Sequence, residues 1–430
     1  MAVVEGFRGI RYSLTTGNDV SDRIAPPYDV LNEQDKANLL KKSPNNIVAV
    51  DLPHMPPRSA GPEALYKAAG ETLHQWLATG VMTREDKPAL YVYQQRYSHQ
   101  GQEFTRRGFI ARLRLEPFGQ GCVFPHEKTY GGPKEDRMML TKFSRVNMSQ
   151  VFCLFDDETN AITDSLYKKI SGEPTYVGEI DGVKNEVWVV TDPAVIESVS
   201  TGMKDRKIFI ADGHHRYTTS LNYREYLKEQ GKLTDDHPAN YVGCMFVSMS
   251  EPGLVILPTH RCVQGMNLSL DDLAQALGET FETKWFDGDK TQAQAAMLEY
   301  GELAFAFVHS GDTRVLLARA KNPTGLLADL ENEHILAWRT LPVAVLHQFV
   351  LERIVYPKWL KTDQPAIEYF HLAEEVMTHI QERPSVLGVL VPTTRIEAVR
   401  DISLAGELMP QKSTFFYPKL ATGLIIHPLF

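Results

Sequence analysis

Residues 207–217 read Lys-Ile-Phe-Ile-Ala-Asp-Gly-His-His-Arg-Tyr, an apolar run that ends in charged, titratable or glycine residues. A polar segment compatible with a helix follows, from Thr218 to Leu227. The pattern predicts a strand, a tight turn at Gly213 and then a helix. Backbone N–H groups at a helix N-terminus favour an anion, so the stretch predicts an anion or phosphate site. In the alternative interpretation, Asp212 ends a strand and only caps the helix.

Three side chains give this turn its chemistry. A guanidinium can hold a phosphate through two parallel hydrogen bonds, so Arg216 is a candidate phosphate ligand. Gly213 allows a ligand to approach the backbone closely, because glycine carries no Cβ. We interpret His214 and His215 as phosphate-binding or supporting groups before metal ligands.

The composition is that of a soluble globular protein with an acidic balance of charge. The chain has 430 residues, 43% hydrophobic and 23% charged, which predicts two or three domains. The formal net charge is −9 and no lysine- or arginine-rich run occurs, so a nucleic-acid partner is disfavoured. Residues 1–11 lack a signal-peptide pattern, and no apolar run reaches about eighteen residues, the length of a membrane span. We therefore expect a cytoplasmic protein without a membrane partner.

Pairs of strand-like runs alternate with helical patterns along the chain. Residues 89–97 and 104–115 look like two strands around a polar tetrapeptide, which predicts a hairpin. The alternation predicts an α+β fold with mixed, largely antiparallel sheets rather than a regular parallel array. Further predictions are hairpins at 241–263 and 304–320, a strand at 46–51, and helices at 63–80, 268–280 and 343–354.

A second ionisable cluster lies between Pro125 and Arg137, around a Gly-Gly-Pro turn. We interpret it as a polar, mobile loop, the kind of segment that carries catalytic groups. Glu127 would act as a general base toward a hydroxyl, and Lys128, Lys134 and Arg137 would neutralise phosphate charge. The alternative is a solvated charged loop without a catalytic role.

Two further clusters follow. His260 and Arg261 come at the end of a predicted strand and would form the substrate-binding rim of a site, or merely a surface strand end. Lys412, Ser413 and Thr414 offer a cation and two hydroxyls, which suit phosphate oxygens or a carboxylate. No GxxxxGK pattern precedes them, so they do not form a Walker A loop, and a polar C-terminal turn is the alternative.

The same residues bear on metal and thiol chemistry. A zinc site held by protein ligands alone is disfavoured, because no HExxH or comparable spacing occurs. Mg²⁺ bound jointly by Asp212 and substrate phosphates needs no such motif and is preferred. Among the cysteines, which lie in apolar runs, only Cys122 near His126 merits a test as a nucleophile. The candidate metal ligands considered are His126, Glu127, Asp212, His214, His215 and His260.

Five separated motifs resemble a widespread prokaryotic family known as a domain of unknown function. The resemblance spans nearly the whole chain. Its motifs are Asp-Arg-Ile-Ala-Pro-Pro-Tyr-Asp-Val at 22–30, His-Glu-Lys-Thr at 126–129, Gly-Pro-Lys with Asp-Arg at 132–137, Ala-Asp-Gly-His-His-Arg-Tyr at 211–217, and Met-Pro-Gln-Lys-Ser-Thr at 409–414 with Tyr-Pro-Lys at 417–419.

The segment 212–216 also resembles the phosphate-binding motif of free L-serine kinases, which belong to the ParB/sulfiredoxin-like superfamily. The resemblance implies a ParB/sulfiredoxin-like core in which Asp212 to Arg216 bind phosphate or Mg²⁺, with ATP, ADP or pyrophosphate as donor. It covers a few residues only, and the long C-terminal region has no counterpart in the small kinase domain.

We predict two regions from these observations. Residues 1–265 would form an N-terminal and central α+β region with the catalytic groups His126, Glu127 and Asp212. Residues 266–430 would form a C-terminal α+β region that contributes the Lys-Ser-Thr loop to the site. Their combined chemistry predicts a small-molecule kinase. The resemblance to free L-serine kinases implies free L-serine as the best single acceptor, and a homodimer is an allowed assembly. The alternatives are a ParB-like nucleotide switch, a metal-dependent hydrolase and an adaptor protein.

Overall fold

The computed structural model describes residues 1–14, 17–57, 59–129, 131–362 and 364–430. These residues divide into two compact units. The first comprises Met1–Leu254 together with Pro418–Phe430, and the second comprises Val255–Tyr417. The C-terminal segment therefore returns to the first unit, and the predicted boundary between residues 265 and 266 stays a prediction.

Strands and helices alternate through both units, as the sequence pattern predicts. Strands β1 to β12 and β21 belong to the first unit and β13 to β20 to the second. In chain order the strands are β1 Val4–Glu5, β2 Ile10–Tyr12, β3 Met82–Arg84, β4 Leu90–His99, β5 Gln102–Arg114, β6 Val123–Phe124, β7 Val146–Asn147, β8 Val151–Phe155, β9 Tyr176–Ile180, β10 Val183–Val190, β11 Ile208–Asp212, β12 Tyr241–Ser248, β13 Val255–Leu257, β14 His260–Gln264, β15 Phe281–Phe286, β16 Ala304–His309, β17 Val315–Ala320, β18 Ile367–Phe370, β19 Val386–Leu390, β20 Phe415–Tyr417 and β21 His427–Pro428.

The helices divide in the same way, with α1 to α7 in the first unit and α8 to α14 in the second. A π-helical stretch, Val345–Val355, joins α11 to α12 without a break. The α-helices are α1 Glu33–Lys42, α2 Val48–Asp51, α3 Glu63–Ala78, α4 Gly131–Ser144, α5 Ala161–Tyr167, α6 Pro193–Met203, α7 His214–Glu229, α8 Leu270–Leu277, α9 Ala293–Tyr300, α10 Leu336–Arg339, α11 Pro342–Ala344, α12 Tyr356–Trp359, α13 Ala373–Glu382 and α14 Ile396–Leu404.

The described residues of the first unit form a nine-stranded mixed sheet in the order β6-β11-β8-β12-β5-β4-β10-β9, with β1 paired to β5. Most neighbours are antiparallel, but β6 is parallel to β11 and β8 is parallel to β12. One face of the sheet buries a continuous apolar core that includes Val92, Phe109, Cys153, Ile210 and Phe246. Because β11 and β8 are buried along nearly their whole length, their sequences read as uninterrupted apolar runs.

The second unit has a six-stranded sheet in the order β15-β17-β16-β19-β14-β18, and every neighbouring pair is antiparallel. Its core packs α9 and α13 against the sheet through residues such as Met297, Val376 and Ile380. The predicted α+β class with mixed, largely antiparallel sheets is confirmed. Within the described residues, no helix is long and apolar enough to cross a membrane.

Two of the three predicted hairpins are confirmed. Strands β4 and β5 pair antiparallel from His99 and Gln102 outward, and Gln100 and Gly101 have φ values of +51° and +76°. This two-residue turn with positive φ at both positions matches the right-handed twist of the flanking strands. Strands β16 and β17 form the predicted hairpin near residues 304–320.

The predicted hairpin at 241–263 is wrong. Strand β12 pairs with β5 and β8, whereas β13 pairs with β20, and β14 with β18 and β19. The Pro252-Gly253 sequence correctly indicates that one strand ends and another begins, but it does not specify the partner of either strand. Gly253 is required instead by a close approach to the backbone of Thr105, where a Cβ would clash.

The predicted strand at 46–51 is also wrong, because Val48–Asp51 is a short helix. Asn46 is fully buried and its side-chain oxygen accepts a hydrogen bond from the backbone N–H of Val48 at 3.0 Å. Its side-chain nitrogen donates to the carbonyl of Ile24 at 2.8 Å. These side-chain bonds stabilise the helical turn, and periodicity in so short an apolar run cannot distinguish the two structures.

We predict that Asn46→Ala lowers the free energy of unfolding by about 2 kcal/mol, because buried backbone groups lose their hydrogen-bond partners. Chemical denaturation measures the change. The matched control is the adjacent Asn45→Ala, which removes a partly buried side chain and is expected to change stability by less than about 0.5 kcal/mol. Equal effects of the two substitutions would contradict the role of Asn46.

Candidate functional site

The predicted strand, tight turn and helix at 207–217 are confirmed. Strand β11 ends at Asp212, Gly213 has φ +93°, and helix α7 begins at His214. A Cβ at Gly213 would also lie 2.8 Å from Nε of Arg216. The left-handed backbone conformation therefore favours glycine at this position.

The parallel pairing of β6 with β11 brings His126 to the same edge of the sheet. Each strand is followed within two residues by a histidine, His126 after β6 and His214 after β11. Their rings meet edge to face with centroids 4.7 Å apart, and the backbone N–H of His126 donates to Nε2 of His214 at 3.2 Å. The structure thus joins two of the predicted site segments.

Both of these histidines are neutral at neutral pH. Burial lowers the pKa of His126 to about 4, although a backbone hydrogen bond with Ile210 acts in the opposite direction. Burial and the neighbouring His126 hold the pKa of His214 well below its usual value. They can therefore offer hydrogen bonds to a ligand but no positive charge.

Asp212 lies between two cations. Nζ of Lys419 donates to Oδ2 of Asp212 at 3.0 Å, and Nη2 of Arg216 lies 3.8 Å from Oδ1. Burial opposes ionisation of this carboxyl, but the charges of Lys419 and Arg216 outweigh it and lower the pKa of Asp212 well below its usual value. The group is a carboxylate across the physiological range and a poor acceptor of protons.

Arg216 is held by the two residues that precede β8. Its Nη1 donates to Oγ of Ser149 at 3.2 Å and to the carbonyl oxygen of Gln150. Because β8 runs antiparallel to β11, its first residues lie beside the end of β11. The guanidinium is thereby fixed at the edge that also carries Asp212 and His214.

The segment predicted as a mobile loop between Pro125 and Arg137 is in large part a helix. Helix α4 begins at Gly131, and Pro133 lies in its first turn, where a missing N–H has no cost. The apolar side of α4, including Leu140, is buried. Tyr130 lies outside the described residues. The Gly-Gly-Pro sequence therefore lies at the start of a helix and does not form a loop.

Arg137 lies on the buried side of α4 and is neutralised by two carboxylates. Its Nη1 donates to Oδ1 of Asp51 at 2.9 Å, and its Nε donates to Oδ2 of Asp136 at 2.8 Å. A cavity of about 30 Å³, large enough for ordered water, is lined by both Arg137 and Arg216. The structure thus brings these two predicted phosphate ligands to one cavity, although Arg137 already has anionic partners.

The remaining predicted residues of the first unit differ in exposure. Glu127 follows His126 directly and is partly buried, as is His215 in the first turn of α7. Lys128 is exposed, and Lys134 is partly buried on α4. Their roles as base and phosphate ligands stay predictions.

In the second unit, His260 and Arg261 do not form a surface strand end, because both side chains are fully buried. Arg261 donates to Nε2 of His347 at 3.2 Å and to the carbonyl oxygen of Lys412 at 2.9 Å. Burial lowers the pKa of His260 to about 3 and that of Arg261 to about 10. Arg261 thus fastens the predicted Lys-Ser-Thr segment within this unit.

The Lys-Ser-Thr segment has a defined conformation. Lys412 is exposed and has φ +56°, whereas Ser413 is buried and donates to the carbonyl of Pro410 at 2.6 Å. Thr394 donates to the carbonyl of Ser413 at 2.6 Å. The Lys412 side chain is therefore presented to solvent from a braced turn, and the hydroxyl of Ser413 is already engaged with the protein.

The described residues support neither a metal site built from protein ligands alone nor a nucleophilic cysteine. Among the described residues, no three His, Cys, Asp or Glu side chains are grouped closely enough to hold a metal ion. Burial and the nearby Glu116 raise the pKa of Cys122 to about 12, so its nucleophilic thiolate is scarce at neutral pH.

Two functional candidates were missed in the sequence. Lys419 lies at the end of a motif that resembles the family, but nothing in its spacing connects it with Asp212. Asp51 is the buried partner of Arg137. The only signal for it in the sequence is an acidic residue at the end of an apolar run.

A family model described as "Protein of unknown function (DUF1015)" matches residues 4–344. The chain belongs to the DUF1015 family. The resemblance to a family of unknown function is thereby confirmed. No curated protein sequence matches this DUF1015 chain.

Several solved structures are similar to this DUF1015 chain at low identity. A free serine kinase variant in complex with ADP is 13% identical, with a TM-score of 0.33, and the match covers 70% of this chain and 89% of that one. SbnI with a C-terminal truncation, from Staphylococcus aureus, is 11% identical with a TM-score of 0.34, over 72% and 84%. A conserved hypothetical protein from Pyrococcus furiosus is 14% identical with a TM-score of 0.31, over 70% and 92%.

The buried neutral His126 predicts a loss of stability in mild acid. Its folded-state pKa of about 4 lies below the unfolded value of about 6.5, so the unfolded chain binds more protons between these pH values. The contribution of His126 is present above pH 6.5 and falls by about 2 kcal/mol between pH 7 and pH 5.

Denaturation of His126→Gln across this pH range tests the prediction, and its stability is expected to fall less steeply than that of the wild type. The control is His74→Gln, which replaces an exposed histidine and is expected to follow the wild-type profile. An unchanged slope for His126→Gln would show that this histidine is not held neutral.

Proposed function

We propose that this protein is a phosphotransferase that moves a phosphoryl group from a nucleotide or pyrophosphate to a small hydroxylated metabolite, with free L-serine as the best single acceptor. The observation that supports the proposal is the meeting of Asp212, Arg216 and Lys419 at the glycine-led N-terminus of α7. Phosphoryl transfer depends mainly on positioning and on neutralising charge, and these groups supply both.

The N-terminus of α7 would bind phosphate oxygens. The helix has 16 residues, so its first turn carries a well-developed positive dipole end. The N–H groups of His214, His215 and Arg216 precede the first i→i−4 bond of the helix, which Tyr217 makes to the carbonyl of Gly213. Such N–H groups with a left-handed glycine before them suit an anion.

The charged side chains add a net positive charge of about one at this edge, since two cations surround one carboxylate. Asp212 is ionised and a weak base, which suits a metal ligand better than a proton acceptor. Asp212 and phosphate oxygens would together hold Mg²⁺, an arrangement that requires no other protein ligand. Mg²⁺ would neutralise the negative charge that develops on the transferred phosphoryl group.

The proton acceptor is proposed to be Glu127. The His126 imidazole is a weak base because burial lowers its pKa to about 4, and Asp212 is a weaker one. Glu127 is partly buried and follows His126 directly in the chain. We also propose a ParB/sulfiredoxin-like phosphate-binding core here, a small-molecule substrate and no nucleic-acid partner.

Two residues of the second unit, Lys412 and Arg261, are also part of the proposal. Lys412 is an exposed cation on a braced turn and would bind a phosphate or a carboxylate. Arg261 is predicted to act in substrate binding, and its buried guanidinium would do so through the backbone of Lys412.

Ligand binding should raise thermal stability, by about 2.7 kcal/mol at a ligand concentration of 100 times the dissociation constant. We expect ADP, ATP or pyrophosphate with Mg²⁺ to raise the melting temperature of the wild type. Arg216→Met should abolish most of that shift, because a bidentate phosphate ligand is lost. Differential scanning fluorimetry measures it.

The matched control is Arg224→Met, two turns further along the same helix. Arg224 donates to the carbonyl of Leu115 and pairs with Glu225, so the variant loses a comparable guanidinium far from the helix N-terminus. An Arg216→Met protein that keeps the full ligand shift would overturn the anion site.

Turnover separates the kinase from a nucleotide switch. We expect phosphoserine to form from L-serine with at least one of ATP, ADP and pyrophosphate, and Glu127→Gln to lower the rate by about 100-fold or more. Mass spectrometry of the products measures both, with Glu135→Gln on α4 as an exposed control. Nucleotide binding without transfer to any hydroxylated amino acid would favour the switch.

A further inference from the structure

A buried network holds the backbone on both sides of Lys419. Nη2 of Arg106 donates to the carbonyl of Pro418 at 2.6 Å, and Nε2 of Gln95 donates to the carbonyl of Lys419 at 3.1 Å. Arg106 and Gln95 are essentially inaccessible to solvent. Two consecutive carbonyls of this segment are thus fixed by side chains that come from the central sheet.

The network is itself rigid. Arg106 also donates to Oε1 of Gln95, and its guanidinium lies 4.7 Å from the ring centroid of Phe152. Gln95 donates in turn to Oδ1 of Asn185 at 3.0 Å. A planar guanidinium with several donors can satisfy two acceptors and an aromatic face at once, which a lysine cannot do.

The side chain of Lys419 extends from this fixed backbone to Asp212. The Nζ–Oδ2 distance is 3.0 Å and the lysine side chain is 24% exposed, so the ammonium group lies near the surface. Four rotatable bonds make lysine a poor point charge unless its Cα is fixed. Fixing the backbone lowers the entropy cost of placing this ammonium group beside Asp212.

We propose that Lys419 is a phosphate-binding cation of the site formed with Asp212 and Arg216, and that Arg106 is a positioning residue that acts through Lys419. The first part rests on the proposed function and deepens it. The ammonium group of Lys419 lies closer to Asp212 than the guanidinium of Arg216 does, so it would donate to a phosphoryl oxygen held with a divalent cation at Asp212. Arg106 contacts no phosphate in this scheme and acts only through the backbone of residues 418 and 419.

A double-mutant cycle tests the proposal with MgADP or Mg-pyrophosphate as the probe in calorimetry. Lys419→Met is expected to weaken binding by about tenfold, as loss of a charge-assisted hydrogen bond predicts. Arg106→Met should weaken it similarly, and should have no further effect in the Lys419→Met background. Lys419→Arg, which keeps the charge, should restore part of the affinity.

The control is Arg107→Met, the next residue on β5. Arg107 is partly exposed and pairs with Glu251 and Asp164, so the variant removes a neighbouring guanidinium while leaving the bonds to the carbonyls of residues 418 and 419 in place. Its affinity for the probe should match the wild type. Effects of Arg106→Met and Lys419→Met that simply add would overturn the positioning role.

A readout without ligand separates this inference from the proposed function. The rate at which acetic anhydride acetylates Lys419, followed by peptide mass spectrometry, is expected to rise several-fold in Arg106→Met and to stay unchanged in Arg107→Met. If Arg106→Met does not fold, Gln95→Met takes its place in both assays, because it removes the bond to the carbonyl of Lys419. A folded variant with unchanged labelling overturns the positioning role. If the wild type binds neither probe but acetylation of Lys419 still rises in Arg106→Met, only the phosphate-binding role of Lys419 is overturned.

Discussion

The site depends on one structural constraint, the parallel pairing of β6 with β11. Its register places Val123 beside Ile208 and Phe124 beside Phe209, so both strands end at the same edge of the sheet. Parallel strands need a long connection, and the chain between β6 and β11 includes α4, β8 and α6. Without this pairing, the His126 segment and the turn after β11 would be unrelated parts of the chain.

Burial and charge separate the ionisable groups at this edge into two kinds. His126 and His214 lose their protons because the interior disfavours the imidazolium ion. The side chain of Asp212 is 30% exposed and remains ionised, because Lys419 and Arg216 stabilise its charge. The result is an ordered set of a carboxylate, two cations and two neutral hydrogen-bonding rings, which is suited to binding a charged ligand without a large change in protonation.

The sequence alone predicted the local structure that carries this chemistry, and failed where distant contacts decide. The strand, turn and helix at 207–217 follow from an apolar run, a glycine and a polar helical segment, all of which are local properties. The interpretation of residues 125–137 as a loop is wrong from Gly131 onward, because the buried side of α4 is recognised only against neighbouring helices. The ion pair between Lys419 and Asp212 joins residues 207 positions apart, and no periodicity or spacing encodes such a contact.

Two buried arginines show how the fold uses charge to shape backbone rather than to bind ligands directly. Arg106 donates to the carbonyl of Pro418 and Arg261 to that of Lys412, each within its own unit, and burial lowers both pKa values to about 10. A buried guanidinium is costly, so the geometry that it imposes must be supported by many hydrogen bonds. Each arginine fixes backbone at or next to a lysine whose ammonium group is more accessible. Loss of activity in a variant of either arginine would therefore be expected to act through the lysine, and its charge-conserving replacement by lysine would not restore the two-acceptor geometry.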